Sequence, residues 1–116
     1  MITEKVIIVE GRQDKLQLLP IFAEPIEIVC TNGTFSQSRL EELLQPYEYC
    51  EVYAFFDSDR AGQQLRKVFK RHFPESNHLY TQSVYGEVER TPRRYLAKVL
   101  QDAEFAVKEG YLLGKG

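Results

Sequence analysis

Acidic side chains follow two strongly apolar segments of this chain. Glu10 comes directly after residues 6–9, and Asp57 and Asp59 come after residues 52–56. Short runs rich in Val, Ile and Phe are typical of buried strands in a parallel sheet. Ligands bind outside the carboxyl ends of such strands, so we expect these three carboxylates to converge at one edge. Because crowded carboxylates repel one another unless a hard cation joins them, the pattern predicts a site for Mg²⁺.

The spacing of the two aspartates supports the same chemistry. Asp57 and Asp59 are two positions apart, and residues i and i+2 of an extended chain point the same way, so both can face one cation. Gly62 stands where a helix should begin, and its missing side chain would let a phosphate approach the free N–H groups there. Glu10 would complete the oxygen ligands or transfer protons. For an isolated Asp-x-Asp, the alternative is a helix cap beside a solvated acid.

Hydrophobic periodicity and helix breakers predict alternating strands and helices with short connections. Strands are predicted at residues 5–10, 26–30, 51–56 and 77–81. Helices are predicted at residues 12–19, from a capping box at 38–41 to Pro46, at 59–73, and from Thr91 to Ala103. Strands joined through helices form right-handed βαβ units. The predicted fold class is therefore α/β, a parallel four-stranded sheet with helices on both faces.

The spacing of apolar residues also predicts which side of each helix faces the core. The inward side chains are expected to be Leu16, Leu19, Leu40, Leu43, Leu44, Leu65, Val68, Phe69, Phe73, Tyr95, Leu96, Val99, Leu100 and Ala103. The helix at 59–73 carries an opposing basic face, predicted to contain Arg66, Lys67, Lys70 and Arg71. These assignments predict one apolar stripe for each helix.

Length and composition are those of one globular domain. The chain has 116 residues, of which 43% are hydrophobic and 28% are charged. We expect a single domain over residues 1–116, with its core at about 5–106 and a loose tail at 107–116. No apolar run approaches the roughly 20 residues that span a bilayer, and no basic leader is present, so neither membrane insertion nor export is expected. Cys30 and Cys50 are predicted to be reduced thiols of a cytoplasmic protein.

The net charge of −2 conceals an uneven distribution. Residues 1–59 contain 11 acidic and 4 basic side chains, whereas residues 60–98 contain 9 basic and 3 acidic ones. A basic half beside an acidic pocket suits a metal-dependent enzyme that acts on a polyanion. Two solvated helix faces would give the same distribution, and composition does not separate these interpretations.

Two motifs together resemble a known family. The segments VEGRQD at residues 9–14 and FDSDRAG at residues 56–62 are similar to the signature of the Toprim domain. This Rossmann-like domain is shared by bacterial primases, type IA and type II topoisomerases, recombination mediators, overcoming-lysogenization-type nucleases and ribonucleases that mature 5S ribosomal RNA. The segments at 31–33 and 86–89 resemble the last branch. Because the additional domains of these enzymes are missing, the resemblance implies a small stand-alone Toprim protein.

The resemblance implies roles for the acidic residues. Glu10 would act as general acid and base and contribute to metal binding, while Asp57 and Asp59 would bind Mg²⁺, for which Mn²⁺ could substitute. Asp14 would be an outer-shell acid, or it would simply stabilise the first turn of its helix. The sequence departs from the topoisomerase pattern at Ala61, where a third acid is absent.

Phosphate or nucleic-acid contacts are assigned to a second group of residues near these motifs. Its members are Gly11, Asn32, Arg60, Gly62 and Lys67. Arg60 follows the Asp pair directly and could hold a phosphate oxygen, whereas Asn32 lies in a polar loop that could equally be an ordinary turn. Tyr80, Tyr85 and Tyr95 could stack on bases or pack at the rim of the core.

Three functions are compatible with these features. The leading hypothesis is Mg²⁺-dependent, nuclease-like chemistry on the phosphodiesters of RNA or DNA. The alternative is a non-catalytic Toprim module that binds a nucleic-acid-processing partner, whereas a catalytic core could itself rely on a homodimer or on a protein partner. A phosphorylated receiver-like domain is the third, but it requires an acidic pair after the first strand, where Glu10 is followed by Gly11.

Overall fold

The computed structural model describes residues 4–33 and 36–112 of the chain. Its strands are β1 Lys5–Val9, β2 Glu27–Cys30, β3 Glu51–Phe55 and β4 Asn77–Leu79. Its helices are α1 Arg12–Leu18, α2 Gln37–Leu44, α3 Arg60–His72, α4 Arg93–Asp102 and α5 Glu109–Leu112. Proline-containing 3₁₀ turns follow α1 and α2. None of the helices in the two described ranges is long and apolar enough to cross a membrane.

The four strands form one parallel sheet in the order β2–β1–β3–β4. On one face, Ile7 and Val9 of β1 pack in a cluster with Leu18 of α1 and with Leu96 and Leu100 of α4. The other face carries a second cluster, whose members include Val6, Ile8, Leu40, Leu44, Leu65 and Phe69 from β1, α2 and α3. Because alternate residues of β1 point to opposite faces, each face requires its own layer of helices. The predicted fold class is confirmed.

Element boundaries differ from the prediction by one or two residues. Each strand pairs over fewer residues than expected, because the chain leaves the ladder at Glu10, at Phe56 and after Leu79. The helix predicted to open with a capping box at Ser38 instead has Ser36 as its N-cap, and Ser36 Oγ accepts a hydrogen bond from the Arg39 N–H at 3.4 Å. α4 begins at Arg93, two residues after the predicted start at Thr91. These shifts leave the order of elements unchanged.

The inward face of α1 was predicted wrongly. Leu16 and Leu19 are 43% and 39% exposed, whereas Leu18 is fully buried. Three leucines within four residues fit more than one helical phase, and contact with Ile21 and Ile28 selects the phase that buries Leu18. The other helices pack against the core with most of their predicted stripes, but Leu43 of α2 is only half-buried, and Tyr95 of α4 lies outside the core clusters, where its ring pairs with that of Tyr85.

Arg66 was also predicted wrongly, since it does not belong to the basic face of α3. Its side chain is only 2% exposed and points to the ends of β3 and β4. Lys67, Lys70 and Arg71 are exposed, as the spacing predicted. The inward side of α3 therefore contains one guanidinium among Leu65 and Phe69.

The segment after α4 packs against the core instead of forming a loose tail from residue 107. Val107 forms an antiparallel bridge with Phe22, and the Lys108 N–H donates to the Ile21 carbonyl at 2.8 Å. Tyr111 and Leu112 pack on the same cluster, so the packed region extends beyond residue 106. Residues 113–116 of the predicted tail lie outside the described residues.

Candidate active site at the carboxyl edge of the sheet

Glu10 and Asp57 meet beside the point where the strand order reverses. The connection from β1 through α1 leads to β2, whereas β3 lies on the other side of β1. Ligands of open α/β sheets bind in the crevice that this reversal creates. Glu10 Oε2 accepts a hydrogen bond from the Asp57 backbone N–H at 2.8 Å. Two carboxylates that are 47 residues apart in the chain thus come together at one edge.

Asp57 is held in place by the loop that follows β4. Its Oδ1 accepts a hydrogen bond from the Val88 N–H at 2.8 Å. The neighbouring Ser58 N–H donates to the Gly86 carbonyl at 2.6 Å, and Ser58 Oγ donates to the Thr81 carbonyl at 2.9 Å. Burial, reinforced by the negative charge of Glu10, raises the pKa of Asp57 to about 7. Negative charge on Asp57 is therefore destabilising, and the folded protein holds the proton of this carboxyl more tightly than the unfolded chain does.

Asp59 serves as the N-cap of α3. Its Oδ1 accepts a hydrogen bond from the Gly62 N–H at 2.8 Å, which satisfies one of the free donors of the first helical turn. The Gly62 N–H, which was expected to be free for a phosphate, is bonded to this cap, and the glycine is buried. A Cβ at Gly62 would lie 2.0 Å from the Asp57 carbonyl oxygen. The glycine therefore lets the helix pass close to the backbone of Asp57.

Asp14 is a buried acid next to this pair. It is 7% exposed, and its Oδ2 accepts a hydrogen bond from the Gly11 N–H at 3.0 Å. Burial, together with the negative charge of Asp57, raises the pKa of Asp14 to about 6. Both predicted roles of Asp14 agree with this position, because it completes the first turn of α1 and also lines the acidic cleft.

The acids border an open cleft of about 370 Å³. Its lining residues are Glu10, Gly11, Arg12, Gln13, Asp14, Asp57, Glu87 and Glu89. Glu87 and Glu89 received no role from the sequence, although the segment that contains them was part of the family resemblance. Gly86, at φ +71°, turns the chain before them. A cavity of about 450 Å³ at the opposite edge, near Glu48 and Phe73, is lined by none of the predicted site residues.

The remaining predicted residues surround this edge. Asn32, at φ +53°, donates its backbone N–H to the Glu10 carbonyl at 2.8 Å, so the loop after β2 supports Glu10. Gly11 has an extended backbone, and an added Cβ would meet nothing within 4 Å. Its small size leaves the cleft open, and the turn there does not require glycine. Arg60 and Lys67 are exposed on α3.

The donor atoms of the cleft fit Mg²⁺, which prefers carboxylate oxygens. Within residues 4–33 and 36–112, no group of three or more His, Cys, Asp or Glu side chains is arranged to hold a metal ion. Glu10 and Asp57 are adjacent, while Asp59 is engaged as a cap. Mg²⁺ usually takes one or two protein carboxylates and completes its shell with water and substrate phosphates. Glu10 and Asp57 would supply such a pair.

The raised pKa of Asp57 predicts a particular pH dependence of stability. An acid whose folded pKa lies above its unfolded value of 3.8 binds its proton more tightly when folded, so its contribution to stability declines between pH 4 and 7. With EDTA present, we expect Asp57→Asn to raise the free energy of unfolding at pH 8 by about 1–2 kcal/mol, after allowance for solvent screening. Asparagine keeps an oxygen for the Val88 N–H.

Urea unfolding of both proteins at pH 5 and pH 8 measures this effect as a difference between variant and wild type. That difference should be several-fold larger at pH 8 than at pH 5. Equal differences at the two pH values would contradict the prediction.

A family model, a protein sequence and a solved structure are similar to this chain. The model of the Toprim-like family matches residues 7–87. The uncharacterized protein YusF of Bacillus subtilis (strain 168) is 45% identical over 109 residues, which represent 94% of this chain and 75% of that protein. The solved structure of a small TOPRIM domain protein from Bacillus stearothermophilus matches with a TM-score of 0.91 and 49% identity, over 100% of this chain and 99% of that one.

Proposed function

The chain belongs to the Toprim-like family, as its two motifs predicted, and from this premise we propose that it acts on nucleic-acid phosphodiesters as a Mg²⁺-dependent, nuclease-like enzyme. The observation that carries the proposal is the contact between Glu10 Oε2 and the Asp57 N–H at the strand-order reversal. The raised pKa of Asp57 supports it, since perturbed acids in a cleft are typical of functional sites.

Each acidic residue has a distinct part in the proposed reaction. Bound Mg²⁺ would polarise the scissile phosphate and offset the charge that develops on its oxygens. Glu10 transfers the proton between the nucleophile and the solvent, because its carboxylate stands at the mouth of the cleft. Asp57 supplies a second carboxylate, while Asp59 holds the first turn of α3 beside it. Asp14 lies behind them and adds negative charge.

The exposed side of α3 suits the backbone of a nucleic acid. Arg60, Lys67 and Arg71 lie along one stripe that starts next to Asp59, and residues spaced by three, four and seven share a helical face. Among the described residues, ion pairs neutralise Arg39, Arg90 and Lys98 but none of the cations of α3. Together with Gln64, which lies between them, these residues form the basic stripe (residues 60, 64, 67 and 71). It would lead a polyanion to the acidic cleft.

We expect the double variant Lys67→Ala/Arg71→Ala to weaken nucleic-acid binding in a salt-dependent way. Each lost phosphate contact lowers the slope of log affinity against log salt concentration by about 0.7 for a single strand, so the slope should fall by about 1.4. Fluorescence anisotropy with a labelled single strand at several salt concentrations measures it. Lys98→Ala is the control, since its ammonium already pairs with Asp102 at 3.0 Å. An unchanged slope in the double variant would show that the basic stripe does not contact the nucleic acid.

The proposed activity is tested directly by incubating the purified chain with structured RNA and with single-stranded DNA. Parallel reactions contain Mg²⁺, Mn²⁺ or EDTA, and products are separated on denaturing gels. Cleavage that requires a divalent ion is the expected result, and the preferred polymer identifies the substrate class. No metal-dependent cleavage of either polymer would contradict the enzymatic proposal.

A Toprim adaptor is the second candidate, and one observation favours it. Asp59 is used as a helix cap, and the described residues contain no preassembled group of three metal-binding side chains. An adaptor would bind nucleic acid or a processing enzyme stably, without turnover alone. Pull-down with the chain as bait and size-exclusion chromatography separate a protein partner from a homodimer. The free thiols Cys30 and Cys50 agree with a cytoplasmic location for either function.

A further inference from the structure

Arg66 is a buried cation that has no carboxylate partner among residues 4–33 and 36–112. Its guanidinium Nη2 donates to the Phe56 carbonyl at 2.7 Å and to the Leu79 carbonyl at 2.6 Å. The ring of Tyr80 lies 3.9 Å from the guanidinium carbon and covers it. Within the described ranges, Nε of Arg66 is the buried side-chain atom that has no hydrogen-bond partner. Burying such a charge is costly, so stability alone is a weak reason for its presence.

His78 completes the surroundings of the guanidinium. Its Nδ1 lies 3.1 Å from Arg66 Nη1, and its Nε2 lies 3.2 Å from Ser76 Oγ. Because a guanidinium can only donate, Nδ1 must be the acceptor and the proton must reside on Nε2. Burial, helped by the positive charge of Arg66, lowers the pKa of His78 to about 4. The histidine is therefore a neutral acceptor that fixes the plane of the guanidinium.

The peptide between Phe56 and Asp57 is held from both sides. Arg66 binds its carbonyl oxygen, and Glu10 Oε2 binds its N–H. The orientation of this peptide determines where the Asp57 side chain leaves the backbone. The positive charge of Arg66 also lies close enough to Glu10 and Asp57 to interact with both carboxylates.

We propose that Arg66 is a positioning residue of the acidic cleft. It fixes the Phe56–Asp57 peptide so that Glu10 and Asp57 remain adjacent, and its positive charge offsets the negative charges of these two carboxylates. It contacts neither substrate nor cation. The expected effect of Arg66 on activity rests on the proposed function, whereas the expected effect of Arg66 on the Asp57 peptide does not. A purely structural arginine would tie α3 to the sheet without any specific effect on Asp57.

Two variants remove the guanidinium, one with and one without loss of the positive charge. Arg66→Lys keeps the charge but lacks the planar group that reaches the two carbonyls and His78 together, whereas Arg66→Met keeps the length and removes the charge. The control is Leu100→Ala, which destabilises the cluster on the opposite face of the sheet. Amide hydrogen exchange is followed by NMR for Asp57 and for Ile8 in the centre of β1. Mn²⁺ affinity is measured by calorimetry well below the unfolding temperature of each variant.

In both Arg66 variants, the exchange of the Asp57 amide should accelerate about 10-fold relative to that of Ile8, which corresponds to one lost hydrogen-bond anchor. Leu100→Ala should leave that ratio unchanged. Mn²⁺ affinity should fall at least about 10-fold in Arg66→Lys and remain at the wild-type value in the control. In Arg66→Met the loss should be smaller, because removal of a nearby positive charge by itself favours a bound cation. If neither Arg66 variant folds, His78→Asn loosens the guanidinium, and about a threefold rise of the ratio is expected.

The two proposals can fail separately. A wild-type chain that binds no Mn²⁺ and cleaves nothing contradicts the proposed function, while the exchange ratio still decides the role of Arg66. An exchange ratio in the Arg66 variants equal to that of Leu100→Ala would overturn the positioning role, whatever the activity.

Discussion

Replacing Glu10 by glutamine is expected to slow metal-dependent cleavage of nucleic acid by about 10²–10⁴-fold, the usual contribution of general acid–base catalysis. Glutamine has nearly the same size and keeps an oxygen that can accept the Asp57 N–H, so the contact now measured at 2.8 Å survives. What is lost is the negative charge and the ability to take up a proton. Single-turnover rates at saturating Mg²⁺ measure the loss without contributions from product release.

The control for this prediction is Glu48→Gln. It removes the same charge from an exposed residue that precedes β3, at the edge of the sheet opposite the acidic cleft. Its cleavage rate should equal that of the wild type. A loss of cleavage rate that is confined to Glu10→Gln supports the role of Glu10 in proton transfer. A Glu10→Gln variant as active as the wild type would refute that role.

Replacing Gly62 by alanine is expected to destabilise the fold by about 3 kcal/mol, the upper part of the range for overpacking. The new Cβ would lie 2.0 Å from the Asp57 carbonyl oxygen and 2.6 Å from its carbon. Both atoms belong to the backbone, so α3 must move away from the sheet to make room. For a chain of this length the midpoint of thermal unfolding should fall by more than about 10 °C.

Gly110→Ala is the matched control, because it makes the same change in another helix. A Cβ at Gly110 meets nothing within 4 Å, and alanine is the better helix former, so stability should stay equal or rise by up to about 1 kcal/mol. Differential scanning calorimetry of both variants provides the comparison. If Gly62→Ala unfolded at the wild-type temperature, the close approach of α3 to Asp57 would be wrong.

The fold could be predicted because its strands are short apolar runs with acidic ends. Parallel strands place those ends at one edge, and this rule predicts that Glu10 and Asp57 lie close together. Asp59 was predicted to be a Mg²⁺ ligand, with a helix cap as the alternative, since Asp-x-Asp before a helix is compatible with both. The structure shows the cap.

The remaining errors have physical causes. Arg66 was assigned to solvent because a charged residue in an amphipathic helix normally faces water, and its partners, the Phe56 and Leu79 carbonyls, carry no sequence signal. Glu87 and Glu89 were missed because they lie in a loop without periodicity, which reaches the cleft through the hydrogen bond from Val88 to Asp57. Backbone hydrogen bonds of loops leave no pattern in side-chain types.

The central position of β1 has a consequence for biosynthesis. β1 precedes the other three strands of the sheet in the sequence, yet it lies between β2 and β3. The ammonium of its Lys5 donates to the Glu104 carbonyl at 3.0 Å, across 99 residues of sequence. Contacts this distant close late and slow the folding of a small domain. A nascent chain therefore leaves the face of β1 that carries Ile7 and Val9 without its α4 layer until residues 93–102 have emerged from the ribosome, and exposed apolar surface of this kind is what chaperones bind during translation.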